Sequence, residues 1–596
     1  HKTLTIHTMV HIKDDNLKTM IQPSGFFNQK AQRLKLADEA LNPVRQTGDA
    51  VIAAFFSEAK RNKRLEARDR LAQANEDGIQ HIDLNAIAKI KEAITKLREG
   101  PQPIIPFHWE IEFPEVFLRE NPGFDAFFGN PPFAGKNTLI AGSAPGYLDW
   151  IKVIHEEAHG NADLVAHFFR RAFHLLRPQG AFGLIATNTI GQGDTRTTGL
   201  RWICTHGGTI YNATKRYKWP GLAAVVVSVV HVAKGDLPGP YCLDGRPMPQ
   251  ITAFLFHAGG HDSPATLFAN AGKSFIGSYV LGMGFTFDDT DKKGVATPIA
   301  EMRRLIAENP RNAEVIFPYI GGEEVNTSPT HAHHRYVINF GAMPLGRRDQ
   351  GKSWQKAGDK QKSEWLRKGI VPLDYPHPVA EDYPELLRIV EEKVKPERIA
   401  LPPKNNWNRT VATYWWLFGA WRRELSATIR DMERVLVISR VGQQYAFALL
   451  PAGQIFAETT VVFALPPLAG FCLLQSRPHE IWARFFGSSL IDHLRYTPTD
   501  CFETFPFPKD FETNPVLESA GKEYYEYRAA LMVRNNEGLT KTYNRFHDPE
   551  EASPEILRLR ELHAAMDRAE SASRLAVMVC VSIVSGAGQP ILSLIG

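Results

Sequence analysis

The sequence predicts an α/β fold: an open, doubly wound sheet in the first half of the chain and a mixed α+β arrangement in the second. Three observations carry this. Apolar strand-like runs alternate with helical stripes at short spacing, with Phe124–Gly129 followed by a stripe over Asn161–Leu176 and then by Ala181–Thr187. The first run breaks into Asn130-Pro131-Pro132-Phe133, a rigid loop at a strand end, where an open α/β sheet keeps its chemistry. From about residue 310 the composition shifts to short strands, turns and interleaved aromatic and cationic residues.

At 596 residues the chain exceeds one ordinary domain, and about two to four are expected. Hydrophobic residues make up 43% and charged residues 22%, enough apolar material to bury a core. The formal net charge of +4 permits nucleic-acid binding without demonstrating it. Cys204, Cys242, Cys472, Cys501 and Cys580 are scattered with no Cys-x-x-Cys, which reads as reduced thiols in a cytoplasm and no zinc or other metal site. The chain opens at His1 with no initiator Met and no signal peptide. The apolar run from Leu575 is too interrupted for a membrane span.

Taken in order, residues 1–55 show no clear period. Residues 56–99 are charged with apolar positions at helical spacing, and their basic residues read as a solvated helix face. Pro101–Pro106 is a proline-punctuated linker. Phe107–Phe117 reads as an alternating strand with His108, Glu110 and Glu112 on its exposed side. The loop that follows Gly129 presents one amide, backbone carbonyls and one aromatic face. The exocyclic amine of adenine is a poor nucleophile because its lone pair is delocalised into the ring. The Asn130 amide oxygen and the Pro131 carbonyl can accept its two N–H bonds, localise that lone pair and aim it at an electrophilic methyl group. Phe133 can stack on a base flipped out of a duplex. A Pro-rich turn with no catalytic duty would leave the same four letters.

Asn130-Pro131-Pro132-Phe133 after its strand resembles the catalytic loop of the gamma-class amino-methyltransferases that modify adenine N6 in DNA. The resemblance implies a partial Rossmann-like methyltransferase sheet, S-adenosylmethionine as donor and no metal for the transfer. It assigns Asn130, Pro131, Pro132 and Phe133 to catalysis. It places Asp163 and Phe168 in the helix bordering the methyl-donor pocket. Trp219, before the apolar run Ala223–Val232, sits where the family carries a second aromatic that sandwiches the flipped base; unaided, it reads as a half-buried surface ring. Gly191-Gln-Gly193 lacks a third glycine and a following acidic residue, so it reads as a demanding turn rather than a cofactor loop. The family's glycine-rich donor loop lies upstream of the catalytic tetrapeptide, and residues 1–123 contain no Gly-x-Gly. The expectation is a chain truncated within its methyltransferase domain.

In the second half, Pro318–Thr327 and Arg335–Phe340 read as short strands and turns, and Arg347–Lys352 with Lys356–Lys368 as a basic loop. Trp407, Tyr414-Trp415-Trp416 and Trp421-Arg422-Arg423 interleave rings and cations, which suits phosphate and base contacts, with half of the rings assigned to core. Strands follow at Arg434–Arg440 and Thr459–Ala464, then Phe486–Leu490, Leu494–Thr497 and Phe505–Pro508. This order resembles the target-recognition region of the MmeI-like and other Type IIG restriction–modification proteins. Fused restriction enzymes carry a nuclease with a Glu-x-Lys. Glu391-Glu392-Lys393 lies in an ordinary charged helical stretch and is rejected as one. Tyr524–Arg568 reads as helices with a loop, and the family pattern is lost near Glu570.

Four segments are expected: a helical 1–105, a methyltransferase domain over 106–310, a target-recognition domain over 311–515 and a helical 516–596 with an uncertain tail. The function that follows is a site-specific adenine-N6 DNA methyltransferase of a restriction–modification or phage-defence system. Its partners would be duplex DNA and a restriction nuclease or defence subunit, with no membrane. A non-catalytic DNA-binding remnant, or an amino-methyltransferase acting on RNA or protein glutamine, stands as the alternative.

Overall fold

The described residues open with three long helices, α1 (Gly25–Phe56), α2 (Arg61–Gln80) and α3 (Leu84–Glu99). The computed structural model describes residues 25–80, 84–220, 226–403, 405–490 and 493–585. The chain divides into two compact units, one ending at Ser263 and one running from Pro264 to Ser593, a coarser division than four segments. α3 follows its apolar spacing and buries Ile90, Ile94 and Leu97. α1 corrects the reading of residues 1–55 as aperiodic. It packs through Ala50, Ala53 and Ala54, small residues with little hydropathy signal, and it contains Pro43. Asp49, 1% exposed, accepts from Arg98 at 2.7 Å and pairs with His108 Nε2 at 2.9 Å, joining these helices to the segment that follows.

That segment is not the alternating strand expected. Residues 107–117 form two single turns, α4 (Trp109–Glu112) and α5 (Pro114–Phe117). Trp109, Phe113 and Phe117 set edge-on contacts against Phe124, and Trp109 also meets Phe127. The aromatic spacing that suggested a strand is a collar gripping the next one.

Phe124, Phe127 and Phe128 favour extended backbone, and Phe124–Gly129 forms β1. Gly123 enters it at φ +111°, a conformation L side chains rarely adopt, and a Cβ there would lie 2.5 Å from the Arg177 amide nitrogen. β1 pairs in parallel with β2 (Leu176–Thr187), Gly129 opposite Leu184, with a register shift between Phe124 and Ala126. Parallel neighbours require a crossover. It consists of α6 (Lys136–Gly142), α7 (Tyr147–Ile154) and α8 (Leu164–Leu175). α8 buries Val165, Ala166, Phe169 and Phe173 against Phe182 and Leu184 of β2. β3 (Gly208–Lys218) and β4 (Val226–Lys234) add an antiparallel pair, and the short β5 (Tyr241–Leu243) and β6 (Arg246–Met248) complete the order β1-β2-β4-β3-β5-β6. β4 is the expected Val-rich strand; Ala223–Val225 of that reading lie outside the described residues.

The second unit holds two four-stranded sheets. In one, Arg434–Ser439 sits between Phe447–Pro451 and Thr460–Phe463, with Ser274–Ile276 at the edge. In the other, Ile316–Ile320 pairs with Arg335–Ile338 and Ile455–Phe456. Helices Pro467–Gln475, Pro515–Asn535 and Pro554–Ser585 cover the first sheet, packing Phe471, Tyr524 and Leu559 onto Leu436, Phe447 and Phe463. Pro384–Lys393 is the charged helix expected, whereas Asp359–Lys368 is a helix inside the stretch read as a basic loop. Trp365 supplies the reason: it is buried against Val371 and Val379. Trp415 and Trp416 belong to the core, and Trp407 is exposed. No helix among the described residues is long and apolar enough to cross a membrane.

Candidate active site

β1 ends at Gly129, and residues 130–135 run without regular structure to α6. Two prolines fix the backbone at the start of this loop. Its far end is tied down. The Ala134 N–H donates to Asp163 Oδ1 at 3.2 Å, and the Ala134 carbonyl accepts from Leu164 N at 2.9 Å. Asp163 is the N-cap of α8, and the same Oδ1 accepts from Val165 N at 3.0 Å. The Asp163 N–H donates to Thr195 Oγ1 at 3.1 Å, in the turn beyond β2. One carboxylate therefore starts a helix and anchors the loop together.

Within that frame Asn130 is exposed and its side chain has no hydrogen-bond partner among the described residues. Pro131 and Pro132 are half-buried, and the Phe133 ring is 36% exposed. Phe168 is half-buried, off the core face of α8, while its neighbour Phe169 is fully buried. Lys136 Nζ reaches Asn161 Oδ1 at 3.1 Å, and Asp194 accepts from Asn161 at 3.3 Å and pairs with His159 at 3.0 Å. This polar chain runs from the loop to the turn after β2. Gly193, in that turn, has φ +48°, in keeping with a demanding turn.

The topology brings the remaining residue to the same rim. β1 and β2 are parallel, and β4 is antiparallel to both β2 and β3, so β3 runs with β1. Trp219, directly after β3, is half-buried and stands on the sheet edge that carries Asn130. Three strand steps separate β3 from β1 in the sheet order, or about 14 Å at the usual spacing. That width leaves room between the two loops for a planar group. At the opposite end of β1, Asp125 accepts from Arg177 at 2.5 Å and Arg119 at 3.1 Å, and the Arg177 bond, then Arg119, holds its carboxyl below the usual range.

Behind the site, His155 Nδ1 and His167 Nδ1 lie 2.8 Å apart, both buried. Burial first, and then the nearby His167 and Arg170, push His155 down to about 2; burial and Arg170 push His167 down to about 4. Arg170 donates to the Glu156 carbonyl at 2.5 Å and stacks on Trp202. Burial keeps the two histidines neutral beside the Arg170 guanidinium, and together they brace α8.

β1 is an edge strand of its sheet, and among the described residues nothing pairs with its outer edge. The Ala134–Asp163–Thr195 clip is the feature that sequence reasoning missed, although Asp163 just before an apolar helical run is an N-cap signal.

Residues 55–203 match the family model of the Eco57I restriction-modification methylase, and residues 377–509 match that of the MmeI target recognition domain. The two matches fall in the first and second units. No curated protein matches the chain. Among solved structures, the Type IIL restriction-modification enzyme MmeI in complex with DNA aligns with a TM-score of 0.53 at 18% identity, over 82% of this chain and 60% of that one. The Type IIG restriction endonuclease BpuSI aligns with a TM-score of 0.25 at 10% identity, over 75% of this chain and 53% of that one. The DrdV–DNA complex aligns with a TM-score of 0.27 at 10% identity, over 68% and 44%. Segments similar to an Eco57I-type restriction-modification methylase and to the MmeI target recognition domain thus share one chain. The chain shares its fold with MmeI and spans about 60% of the MmeI chain's length.

Proposed function

We propose that this chain belongs to a DNA methyltransferase that transfers a methyl group from S-adenosylmethionine to adenine N6 in duplex DNA, within a cytoplasmic restriction–modification or phage-defence system. The observation that carries the reading is the exposed, unpartnered Asn130 amide, held at a strand end by two prolines and the Asp163 clip. In this reading Asn130 Oδ1 and the Pro131 carbonyl accept the two N–H bonds of the target amine, and Pro132 keeps both acceptors in register. Phe133 and Trp219 hold the flipped base between rings. Phe168 borders the donor pocket, and Asp163 serves it by fixing the loop. S-adenosylmethionine, when bound, supplies the electrophilic methyl group.

Support comes from the two family matches and from the shared fold with MmeI, which is solved in complex with DNA. Residues 106–310 would perform methylation and 311–515 would read the DNA, with helical segments at 1–105 and 516–596 and a nuclease as partner or fused neighbour. A second reading rests on β1 being a sheet edge: a DNA-binding chain without its donor site. Calorimetry with S-adenosylmethionine, with and without duplex DNA, followed by mapping of N6-methyladenine, separates the two. Donor binding and methylated adenine support the first reading. DNA binding with no donor binding selects the second. Methylation of RNA or glutamine in place of DNA overturns the DNA substrate.

A further inference from the structure

A cavity of about 640 Å³ in the second unit opens between Gly321–Thr327 and the strand ends at Ser439–Val441 and Arg495. It is not part of the loop site, and neither the tetrapeptide nor the clip uses it. Arg335, Arg440 and Arg495 line it. Arg335 is already neutralised: its Nε lies 2.7 Å from buried Glu324, whose other oxygen accepts the Gly321 N–H at 2.9 Å. Arg440 and Arg495 form no ion pair among the described residues, although Glu323 and Glu458 also line the cavity.

Both guanidiniums line the cavity, and the backbone that carries them is paired. The Arg440 N–H donates to the Thr459 carbonyl at 2.7 Å, and the Arg440 carbonyl accepts from Tyr496 N at 2.8 Å. Val441 pairs with Arg495 across an antiparallel ladder, and Arg495 pairs in turn with Ser488. Tyr496, fully buried, locks the strand that carries Arg495. The arrangement is therefore built before any ligand arrives. Like charges crowd there: after burial, the neighbouring Arg495 and Arg422 hold Arg440 below its ordinary range, opposed by Glu458. Gly322 packs its backbone on the cavity wall, where a Cβ would lie 2.6 Å from Ser439 Oγ. Its N–H donates to Thr459 Oγ1 at 3.0 Å, which leaves that hydroxyl proton to donate elsewhere. Two unpaired forks and one hydroxyl donor converge on a space with carboxylates at its sides. That is a site for one tetrahedral anion, with neighbouring anions discouraged.

We infer that Arg440 and Arg495 grip a single backbone phosphate of duplex DNA in this cavity. The inference rests on the DNA reading proposed above. Phosphate contacts fix register without reading sequence, so the grip would act on every duplex alike.

The test is binding of fluorescent duplexes of unrelated sequence to the full chain across a salt series, comparing wild type with Arg440→Gln/Arg495→Gln and with Arg440→Lys. The expected result is a loss on the order of tenfold for the double variant on every duplex, a salt slope shallower by about 1, and a slope kept by Arg440→Lys. An unchanged unfolding midpoint shows that the fold survives. Wild-type binding with an unaltered double variant overturns the phosphate grip and leaves the DNA reading standing. If wild type binds no duplex, the DNA reading and the duplex source fall together. Calorimetry with inorganic phosphate and with AMP then decides the cavity itself: anion binding lost in the double variant marks a free-nucleotide or phosphate site in place of DNA, and no binding removes the site.

Discussion

Asp163 Oδ1 accepts the Ala134 N–H at 3.2 Å while capping its own helix through Val165 at 3.0 Å. Removing the carboxylate as Asp163→Ala strips the helix cap and releases the loop. The expected cost is about 1–2 kcal/mol. Asp163→Asn keeps an acceptor oxygen and is expected to restore most of it. Chemical denaturation of the three proteins checks this. If Asp163→Ala is as stable as wild type, the clip holds nothing.

Gly123 controls the entry to β1. Its positive φ and the 2.5 Å approach of the Arg177 nitrogen leave no room for a side chain. Gly123→Ala is expected to destabilise the first unit by about 2–4 kcal/mol and to disturb the pairing of Asp125 with Arg177. Hydrogen exchange in β1 and the start of β2 reports it directly, and unchanged protection there contradicts the account.

How much of this was legible in the sequence follows from where the apolar signal lay. The α8 stripe and the strand at Arg434–Ser439 were readable because burial and apolar pattern coincide in them, and Phe124–Gly129 because its three phenylalanines favour extended backbone although most of its residues are exposed. α1 was not, because alanines make its contacts and it carries Pro43. The turns at Trp109–Phe117 were misread because their rings are spaced like a strand yet converge on Phe124. Of the candidate site, the tetrapeptide was visible as letters. The rim shared with Trp219 needed the parallel direction of β3, which no local pattern encodes.

The buried pair His155 and His167 makes stability depend on pH. An unfolded histidine titrates near 6.5, whereas burial holds these two near 2 and 4. Between those values the unfolded chain binds more protons, so stability is full above pH 6.5 and falls as the pH drops towards 4. At pH 5 the loss is about 2 kcal/mol for each histidine. Exchange protection of β2 amides at pH 7.5 and pH 5 measures it, and His167→Gln is expected to flatten the dependence. Equal protection at both values refutes it.

Arg528 is 1% exposed, donating to the Phe447 carbonyl at 2.5 Å and to the Tyr543 hydroxyl at 3.0 Å, with its guanidinium over Phe471, Tyr524 and Tyr525. Arg528→Met fills the volume and leaves those acceptors unmatched, at a cost of about 2–4 kcal/mol to the second unit. Arg528→Lys is expected to recover little, because an ammonium cannot stack as a planar fork does. Denaturation that leaves Arg528→Lys indistinguishable from wild type shows that charge alone suffices.

Asn130 offers the cleanest separation of chemistry from structure. It is exposed and bonds to nothing among the described residues, so Asn130→Ala is expected to change stability by less than about 0.5 kcal/mol. On the proposed mechanism the same change removes one of two acceptors that localise the lone pair of the amine. Loss of one such group lowers the transfer rate by about 10²–10³-fold. Duplex affinity is expected to stay within a factor of about two, since backbone contacts and not this amide supply most of it. Trp219→Ala supplies the contrast: it would weaken capture of the flipped base, raising KM and dimming the response of a 2-aminopurine probe, and Trp219→Phe would restore part of both. Single-turnover methylation by a form that binds donor reads the two effects apart. An Asn130→Ala protein that methylates adenine at the wild-type rate places the acceptor elsewhere on the rim and removes the loop from the chemistry.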